Sequence, residues 1–388
     1  MSVAQDLRVA ARRWASARHA PSPIAAAAEE REALRRWHAD LPAPVKKHAR
    51  DTHIFEIDAA QLPWLDTGID LLRGDSVSTF AAGRVVLSAA LDLWIGPQFQ
   101  LWMRIGEKGP IFNGTRDTHS FRAQAAGRLY LAGCFPGQWH DREGRVSTPL
   151  TDYRKFSGGL TVAVIRWKGS ATEALAAASS ADTQGRLAAE AARLREPVPP
   201  PDGWDYLWFL GQSEIFRSVT DEGKVCIACD TERSASILQH DAVYDLRPGT
   251  TLGWSWKVDE LPSLLPENTQ ASHDYLSIAV EFENGRDITY TWSPALSAGT
   301  GYWCPLATWK DREFHVVVRS GTGELGKWLA EKRDLHADYK RYMGEPPRRI
   351  VRVWLIAVSL FQRRRGRAMF RDIRFEGSGA RLEIETSL

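Results

Sequence analysis

The N-terminal residues place apolar side chains at helical intervals. Val3, Leu7 and Trp14 recur along one face, and the alanine-rich stretch 24–40 places Glu32 four residues before Arg36. We therefore predict a helical N-terminal segment over residues 1–50. Its apolar stripe is narrow, so we expect it to pack on the body of the protein or on a second subunit, which makes it a candidate homo-oligomer contact.

From residue 51 to residue 169 the pattern changes to short apolar runs separated by glycine and proline, which predicts a β-sandwich or barrel. The runs are 84–87, 99–105, 128–131 and 160–165. Residues 170–202 return to a helical pattern that ends in Pro197 and the prolines 199–201. This segment is predicted to be a helical and proline-rich linker.

Residues 203–388 are again rich in strand-like runs. The clearest strands are 252–258, 275–282, 287–292, 314–318, 351–358 and 368–375. A helical pattern over 334–342 stops at Gly344 and Pro346. The predicted fold is mainly β, with two tandem β-sandwiches of jelly-roll or galactose-binding-like type.

Charge and composition exclude several classes of partner. The chain has 388 residues, a net charge of +2 and interleaved acids and bases, so it carries no electrostatic footprint for nucleic acid. It contains no apolar run of signal-peptide or transmembrane length, so we expect a cytoplasmic protein that does not bind a membrane. The arginine cluster 363–367 is either an anion site or a solvated loop.

Two of the four cysteines, Cys226 and Cys229, have the spacing of a redox or zinc motif. They lie in a strand-like run, where residues three apart point to opposite faces. No second cysteine or histidine pair follows at zinc-site spacing. The two thiols are therefore predicted to be buried and structural.

Sixteen tryptophans in one chain require either large cores or aromatic platforms for a ring-shaped ligand. Tryptophans within strand patterns are core candidates: Trp94, Trp102, Trp167, Trp254, Trp256 and Trp354. The remaining candidates for a ligand platform are Trp139, Trp292, Trp303 and Trp309, with Tyr302 beside Trp303.

Strand alternation also suggests a polar, aromatic-lined surface in the second sandwich. A face with Glu281, Tyr290 or Trp292, and Arg319 would suit a small ligand. Glu281 and Arg319 are equally compatible with a cross-strand ion pair. The candidate catalytic residues are Glu281, His273 and Arg319, and His273 with Asp274 could orient a general base.

The first sandwich resembles the galactophilic lectin-like sandwich of bacterial PA-I-type lectins. The resemblance rests on the segments 74–83, 101–106 and 121–133, and it covers about residues 65–168. In that family a calcium ion in the loop after the Leu-Tyr-Leu strand bridges protein and galactose. Here the resemblance makes Asp141 and Glu143 the candidate calcium ligands, and Trp139 and His140 the candidate ligand rim.

The second sandwich resembles a bacterial domain family of unknown function. The matching segments are 252–259, 273–275, 290–292, 316–321, 328–344 and 370–375. The resemblance implies a fold and no reaction.

Two functions follow from the residues and the resemblances. The leading hypothesis is a protein that binds a carbohydrate or another small ring-containing or aromatic ligand on its tryptophan platforms. The alternative is a hydrolase or lyase that acts on a glycan or glycoside, with its site in the second sandwich or between the sandwiches.

Overall fold

A computed structural model of the chain describes residues 22–60, 64–133, 139–147, 149–377 and 379–386. Trp14 and the first part of the predicted N-terminal helical segment lie outside the described residues, as does Cys134. The described residues form two compact units. The first comprises residues up to 197 together with 211–213, and the second comprises 198–210 and the residues from 214 onward.

The first unit is a β-sandwich, and four of its helices pack on one face of one sheet. Its helices are α1 (Pro23–Ala39), α2 (Ala43–His48), α3 (Pro97–Gln100), α4 (Leu150–Tyr153), α5 (Ala171–Ala178) and α6 (Arg186–Arg195), with a 3-10 turn at Ser179–Ala181. Its strands are β1 (Ala49–Asp58), β2 (Leu65–Leu71), β3 (Ser76–Ser88), β4 (Leu93–Ile95), β5 (Leu101–Ile105), β6 (Phe112–Asn113), β7 (Thr118–Arg122), β8 (Gly127–Gly133) and β9 (Ser157–Trp167). One sheet has the order β1-β9-β3-β4, with β7 also paired to β3, and the other has the order β2-β8-β5-β6.

The central strand β9 shows how the sequence builds this unit. Its residues alternate between two faces. Val162 and Val164 enter the core between the two sheets. Ala163 and Ile165 enter a second core beneath the helices.

The segment predicted as a helical linker contributes to that second core. Leu175 of α5 and Leu187 of α6 are fully buried there, together with Leu34 and Trp37 of α1. The helices 171–178 and 186–195 therefore belong to the first unit instead of joining two domains. Ser22 caps α1 through a hydrogen bond from the Ala25 amide at 3.2 Å.

The second unit is a sandwich of two larger sheets. Its strands are β10 (Asp205–Tyr206), β11 (Phe216–Asp221), β12 (Lys224–Glu232), β13 (Ala235–Asp245), β14 (Thr251–Glu260), β15 (Tyr275–Phe282), β16 (Asp287–Ser293), β17 (Gly301–Trp303), β18 (Glu313–Ser320), β19 (Leu329–Asp334), β20 (Arg349–Val358), β21 (Arg365–Gly377) and β22 (Ala380–Glu383). The seven-stranded sheet has the order β10-β13-β20-β15-β16-β18-β17, and the six-stranded sheet has the order β11-β12-β21-β14-β19, with β22 on β21. Helix α7 (Leu335–Met343) is capped by Asp334 and ends at Gly344.

The fold prediction is confirmed: the protein is mainly β, with two sandwiches in succession. Every strand predicted after residue 250 and the helix over 334–342 are present. Within the described residues, the structure has no helix with both the length and the apolar character needed to cross a membrane.

The outer face of the seven-stranded sheet is covered instead of solvated. A small apolar cluster joins Ala279 and Trp354 of the sheet to Leu207, Cys304 and Trp309 of the covering segments. This cover encloses polar side chains that an exposed sheet face would present to water.

Candidate metal centre

A layer of polar side chains lies on the outer face of the seven-stranded sheet, under the segments that cover it. Strands β16 and β18 run parallel and pair Asp287 with Glu313 and Thr289 with His315. Side chains two residues apart share a face of a strand, so these four lie together. All four are buried. Burial of so many polar groups is costly unless they bond to one another or to a bound ion.

Four side chains in this layer bring metal-binding atoms together. The ligating atoms of His273, Cys304, Glu313 and His315 all lie within 4.8 Å of one another. None of the four residues is more than 4% exposed. We refer to them as the His-Cys-Glu-His cluster.

Three segments of the chain deliver these residues. Glu313 and His315 lie on β18, while Cys304 directly follows β17 and donates its amide to the Glu313 carbonyl at 2.9 Å. His273 ends the 3-10 turn Gln270–Ser272 and precedes β15. The cluster is therefore assembled by sheet pairing and not by a local sequence motif.

His273 is oriented with one ring nitrogen facing the cluster. Its Nδ1 lies 2.7 Å from the Glu267 carbonyl oxygen, and its Nε2 lies 3.3 Å from the Cys304 Sγ. Because a carbonyl only accepts, Nδ1 carries the proton and Nε2 presents a lone pair. Burial lowers the pKa of His273 to about 3, and the neighbouring His315 adds to this effect, so the ring is neutral. A carbonyl that fixes the far nitrogen of a ligating histidine is a common feature of metal sites.

Glu313 is held as a carboxylate. Tyr275 donates its hydroxyl hydrogen to Glu313 Oε1 at 2.8 Å, and His315 Nε2 lies 3.3 Å from the same oxygen. Burial alone would raise the pKa of Glu313, but its interactions with His315, His273 and Tyr275 together outweigh burial and lower the pKa. The nearby Asp287 shows the opposite behaviour, because burial and the charge of Glu313 raise its pKa well above the ordinary value.

His315 is positioned by stacking. Its ring lies parallel to Tyr302, with a centroid distance of 4.9 Å. Neither of its buried ring nitrogens forms a well-oriented hydrogen bond to a residue that the structure describes. A fully buried imidazole without such bonds is suited to a metal ion, which would take up its lone pair.

The ligand types and the charge of the cluster fit a divalent cation of intermediate softness such as zinc. Zinc bonds of about 2.0–2.3 Å in a tetrahedron place ligand atoms about 3.3–3.8 Å apart. Two contacts in the cluster, from His273 to Cys304 and from Glu313 to His315, measure 3.3 Å, and all the ligand atoms lie within 4.8 Å of one another. Bound to the ion, one thiolate and one carboxylate would supply two negative charges, which balance a divalent cation. Nitrogen and sulfur ligands favour zinc over calcium or magnesium, which take oxygen ligands.

The three predicted catalytic residues are not united in one site. His273 belongs to the cluster. Glu281 forms an ion pair with Arg352 at 2.8 Å, and Arg319 pairs with Glu331 at 2.6 Å. The expected ion pair between Glu281 and Arg319 is therefore absent: Glu281 forms its cross-strand pair with Arg352 on β20, and Arg319 of the seven-stranded sheet pairs with Glu331 of the six-stranded sheet.

The prediction of a polar face that contains Tyr290 and Trp292 is wrong. Antiparallel pairing places Tyr290 opposite Ile278, so both enter the central core, whereas Glu281 lies opposite Asp287 on the covered face. Tyr290 and Trp292 are at most 1% exposed and cannot serve as a surface platform.

The other predicted platforms differ in exposure. Trp309 is buried against Trp354, and Tyr302 stacks on His315. Trp139 is also buried, stacked on Trp64 at 5.4 Å. Trp303 is 38% exposed and remains available to a ligand.

The described part of the loop predicted to hold calcium, residues 139–147, contains a turn closed by its own side chains. His140 and Glu143 are exposed, and the Asp141 carboxylate accepts hydrogen bonds from the amides of Glu143 and Arg145 and pairs with the Arg145 side chain. The carboxylate of Asp141 is thus already hydrogen-bonded within the turn. Among the residues the structure describes, Asp141 and Glu143 do not belong to a group of three or more His, Cys, Asp or Glu ligands, and calcium binding by this loop stays a prediction.

Two further expectations concern residues outside the cluster. Cys226 and Cys229 are both buried, unpaired by disulfide and on opposite faces of β12, as predicted. In the arginine cluster, Arg365 forms an ion pair with Asp230, and Arg367 lies 3.7 Å from Glu260. Asp230 and Glu260 thus offset the positive charge of these two arginines, which weakens their attraction for an anion.

Residues 202–374 match the model of a family described as "Protein of unknown function (DUF3047)". This confirms the resemblance of the second sandwich to a family without a known activity. All four residues of the His-Cys-Glu-His cluster lie within the matched segment. No curated protein matches the chain.

Similar solved structures include carbohydrate-binding domains. A PllA-like lectin, the EclA N-terminal domain, is 17% identical over 29% of this chain and 94% of its own, with a TM-score of 0.23. The family 30 carbohydrate-binding module of a Clostridium thermocellum cellulosomal cellulase is 13% identical over 47% of this chain and 96% of its own, with a TM-score of 0.28. The xyloglucanase domain of NopAA from Sinorhizobium fredii is 10% identical over 47% of this chain and 93% of its own, with a TM-score of 0.27. The narrower resemblance to PA-I-type lectins is not confirmed, and similarities of this size carry no inference about ligand.

Proposed function

We propose that the second unit is a zinc-binding β-sandwich in which His273, Cys304, Glu313 and His315 coordinate one ion. The observation that carries this proposal is the convergence of four buried ligand atoms within 4.8 Å of one another. The set contains one thiol, one carboxylate and two imidazoles, a combination that zinc accepts readily.

The role proposed for the ion is structural. Structural zinc sites use four protein ligands, whereas catalytic sites keep a position for water or substrate. All four ligands here come from the chain and are buried. Burial and the charge of Glu313 raise the pKa of the Cys304 thiol, so zinc binding displaces its proton.

Metal content of the purified chain tests this proposal. After exposure to zinc and removal of excess metal, we expect about one zinc per chain by inductively coupled plasma mass spectrometry, and much less for Cys304→Ser and His315→Ala. Cys226→Ser is the matched control, because Cys226 is a buried free thiol outside the cluster. Circular dichroism establishes that each variant is folded. Full zinc content in folded Cys304→Ser, or an equal loss in Cys226→Ser, would exclude this site.

A second candidate function, binding of a carbohydrate or another ring-containing ligand, is favoured by Trp303. This tryptophan lies on the edge strand β17, 38% exposed, and its ring is supported edge-on by Phe314 at 5.1 Å. Arg286 lies 5.8 Å from the ring centroid. An exposed, rigidly supported indole is a suitable platform for a sugar ring.

Titration with a glycan panel, followed by tryptophan fluorescence, tests this second function. We expect saturable quenching in the wild-type chain, its loss in Trp303→Ala and its partial retention in Trp303→Phe. Leu264→Ala, at another exposed apolar position, should leave binding unchanged. Equal quenching in the wild-type and Trp303→Ala chains would remove Trp303 as the platform.

A further inference from the structure

One end of the five-stranded sheet in the first unit contains a cavity of about 340 Å³. It lies where β1, β3 and β7 have their ends and where β9 leads into α5. The indole of Trp167 contributes to its wall and is fixed by a hydrogen bond to Ser78 at 2.8 Å. This volume lies within the usual range for small-molecule sites, about 300–1,000 Å³.

Three cationic side chains line this cavity: Arg50, Arg122 and Lys168. Asp75 is the acid among the lining residues. The net charge of the side chains that line the cavity is thus +2. Two serines, Ser76 and Ser170, add hydroxyl groups.

A local irregularity of β1 accounts for the position of Arg50. The pairing of β1 with β9 shifts between Ala49 and Asp51, so Arg50 is the extra residue of a β-bulge. Bulges redirect a side chain away from the regular alternation and are common beside binding sites. Here the bulge places Arg50 in the wall of the cavity.

The contacts that the two arginines make with the protein are long. Arg50 Nη1 lies 3.4 Å from the Asp75 carboxylate, and Arg122 reaches the Gly74 carbonyl at 3.4 Å with both Nε and Nη2. Charge-assisted hydrogen bonds are normally about 2.7–2.9 Å long. Lys168 donates one hydrogen to the Lys47 carbonyl at 2.9 Å, and an ammonium group has three. All three cations therefore retain donors for an oxyanion.

We propose that this cavity binds a phosphoryl dianion. Two net positive charges match the two negative charges of a phosphate or phosphate monoester near neutral pH. Guanidinium groups bind such oxyanions through paired hydrogen bonds. Ser170, the N-cap residue of α5, also lines the cavity. The cavity volume leaves room for a small organic group attached to the phosphoryl.

Isothermal titration calorimetry with the full chain tests the proposal. Inorganic phosphate and glucose 6-phosphate are the two phosphoryl probes, and glucose is the neutral comparison. We expect saturable binding of at least one phosphoryl probe, no binding of glucose, and weaker binding at higher salt. The tighter of the two probes identifies whether the source is free phosphate or an ester.

Variants of the cationic residues complete the test. Arg122→Gln and Lys168→Gln should each weaken binding by about tenfold or more, because each removes a charged donor. Arg122→Lys should retain more affinity than Arg122→Gln. Arg154→Gln, an exposed arginine outside the cavity lining, should bind like the wild type. Absence of saturable binding to both phosphoryl probes, or wild-type affinity in folded Arg122→Gln/Lys168→Gln, would overturn the proposal.

Discussion

Removal of zinc by a chelator is expected to lower the unfolding free energy of the second unit by several kcal/mol. An ion that binds only the folded state stabilises it by about 4 kcal/mol when its free concentration is 1,000 times its dissociation constant. The ion would also join the loop that carries His273 to strands β17 and β18. Without it, the thiol, the carboxylate and the imidazoles remain buried and incompletely bonded, which is unfavourable.

Urea denaturation followed by far-ultraviolet circular dichroism measures this effect. The wild-type chain should unfold at lower urea after chelation and recover its midpoint when zinc is restored. Cys304→Ser should unfold early with or without chelator, whereas Cys226→Ser should respond to chelation like the wild type. Identical midpoints for the zinc-loaded and chelated wild-type chain would contradict a structural ion.

Strand positions in the second unit were predictable because β-branched and aromatic residues alternate with polar ones over short runs. The prediction for 275–282 coincides with β15. Alternation sorts the residues of one strand between two faces. It does not show which of those residues share a face of the sheet with given residues of the neighbouring strand. That depends on register, and the pairing of Ile278 with Tyr290 reversed the expected face of Tyr290 and Trp292.

The His-Cys-Glu-His cluster was not predicted for a related reason, although His273 alone was a candidate site residue. His273, Cys304 and Glu313 are separated by 31 and 9 positions, far from the short spacing of common zinc motifs. The pair Glu313 and His315, two residues apart on one strand, was the available local signal. It becomes informative only when the covering segment with Cys304 is known to bury that face.

The tryptophans illustrate what composition could and could not establish. Their number predicted large cores, and Trp102, Trp167, Trp254, Trp256 and Trp354 are indeed at most 2% exposed. Three of the four proposed platforms, Trp139, Trp292 and Trp309, are buried as well. These tryptophans are buried by residues that are distant in the sequence, and a short sequence pattern does not reveal such contacts.

Substitution of Trp256 by alanine is expected to destabilise the second unit by about 3–5 kcal/mol, as for other large aromatic residues in cores. Trp256 is fully buried, and its ring lies 5.7 Å from those of both Trp254 and Trp292. Its Nε1 donates to Glu331 at 3.1 Å, so the substitution also removes a partner from a carboxylate that binds Arg319. Urea denaturation monitored by circular dichroism measures the change without relying on tryptophan emission.

Trp303→Ala is the matched control, because it removes the same side chain from an exposed position. We expect it to cost less than about 1 kcal/mol, in keeping with substitutions at the surface. Trp256→Phe should fall between the two, since it retains part of the ring contacts but loses the hydrogen bond to Glu331. If Trp256→Ala and Trp303→Ala destabilise the chain equally, Trp303 contributes to the core and is not a free platform. A large difference between them separates the structural tryptophans from the one that is available to a ligand.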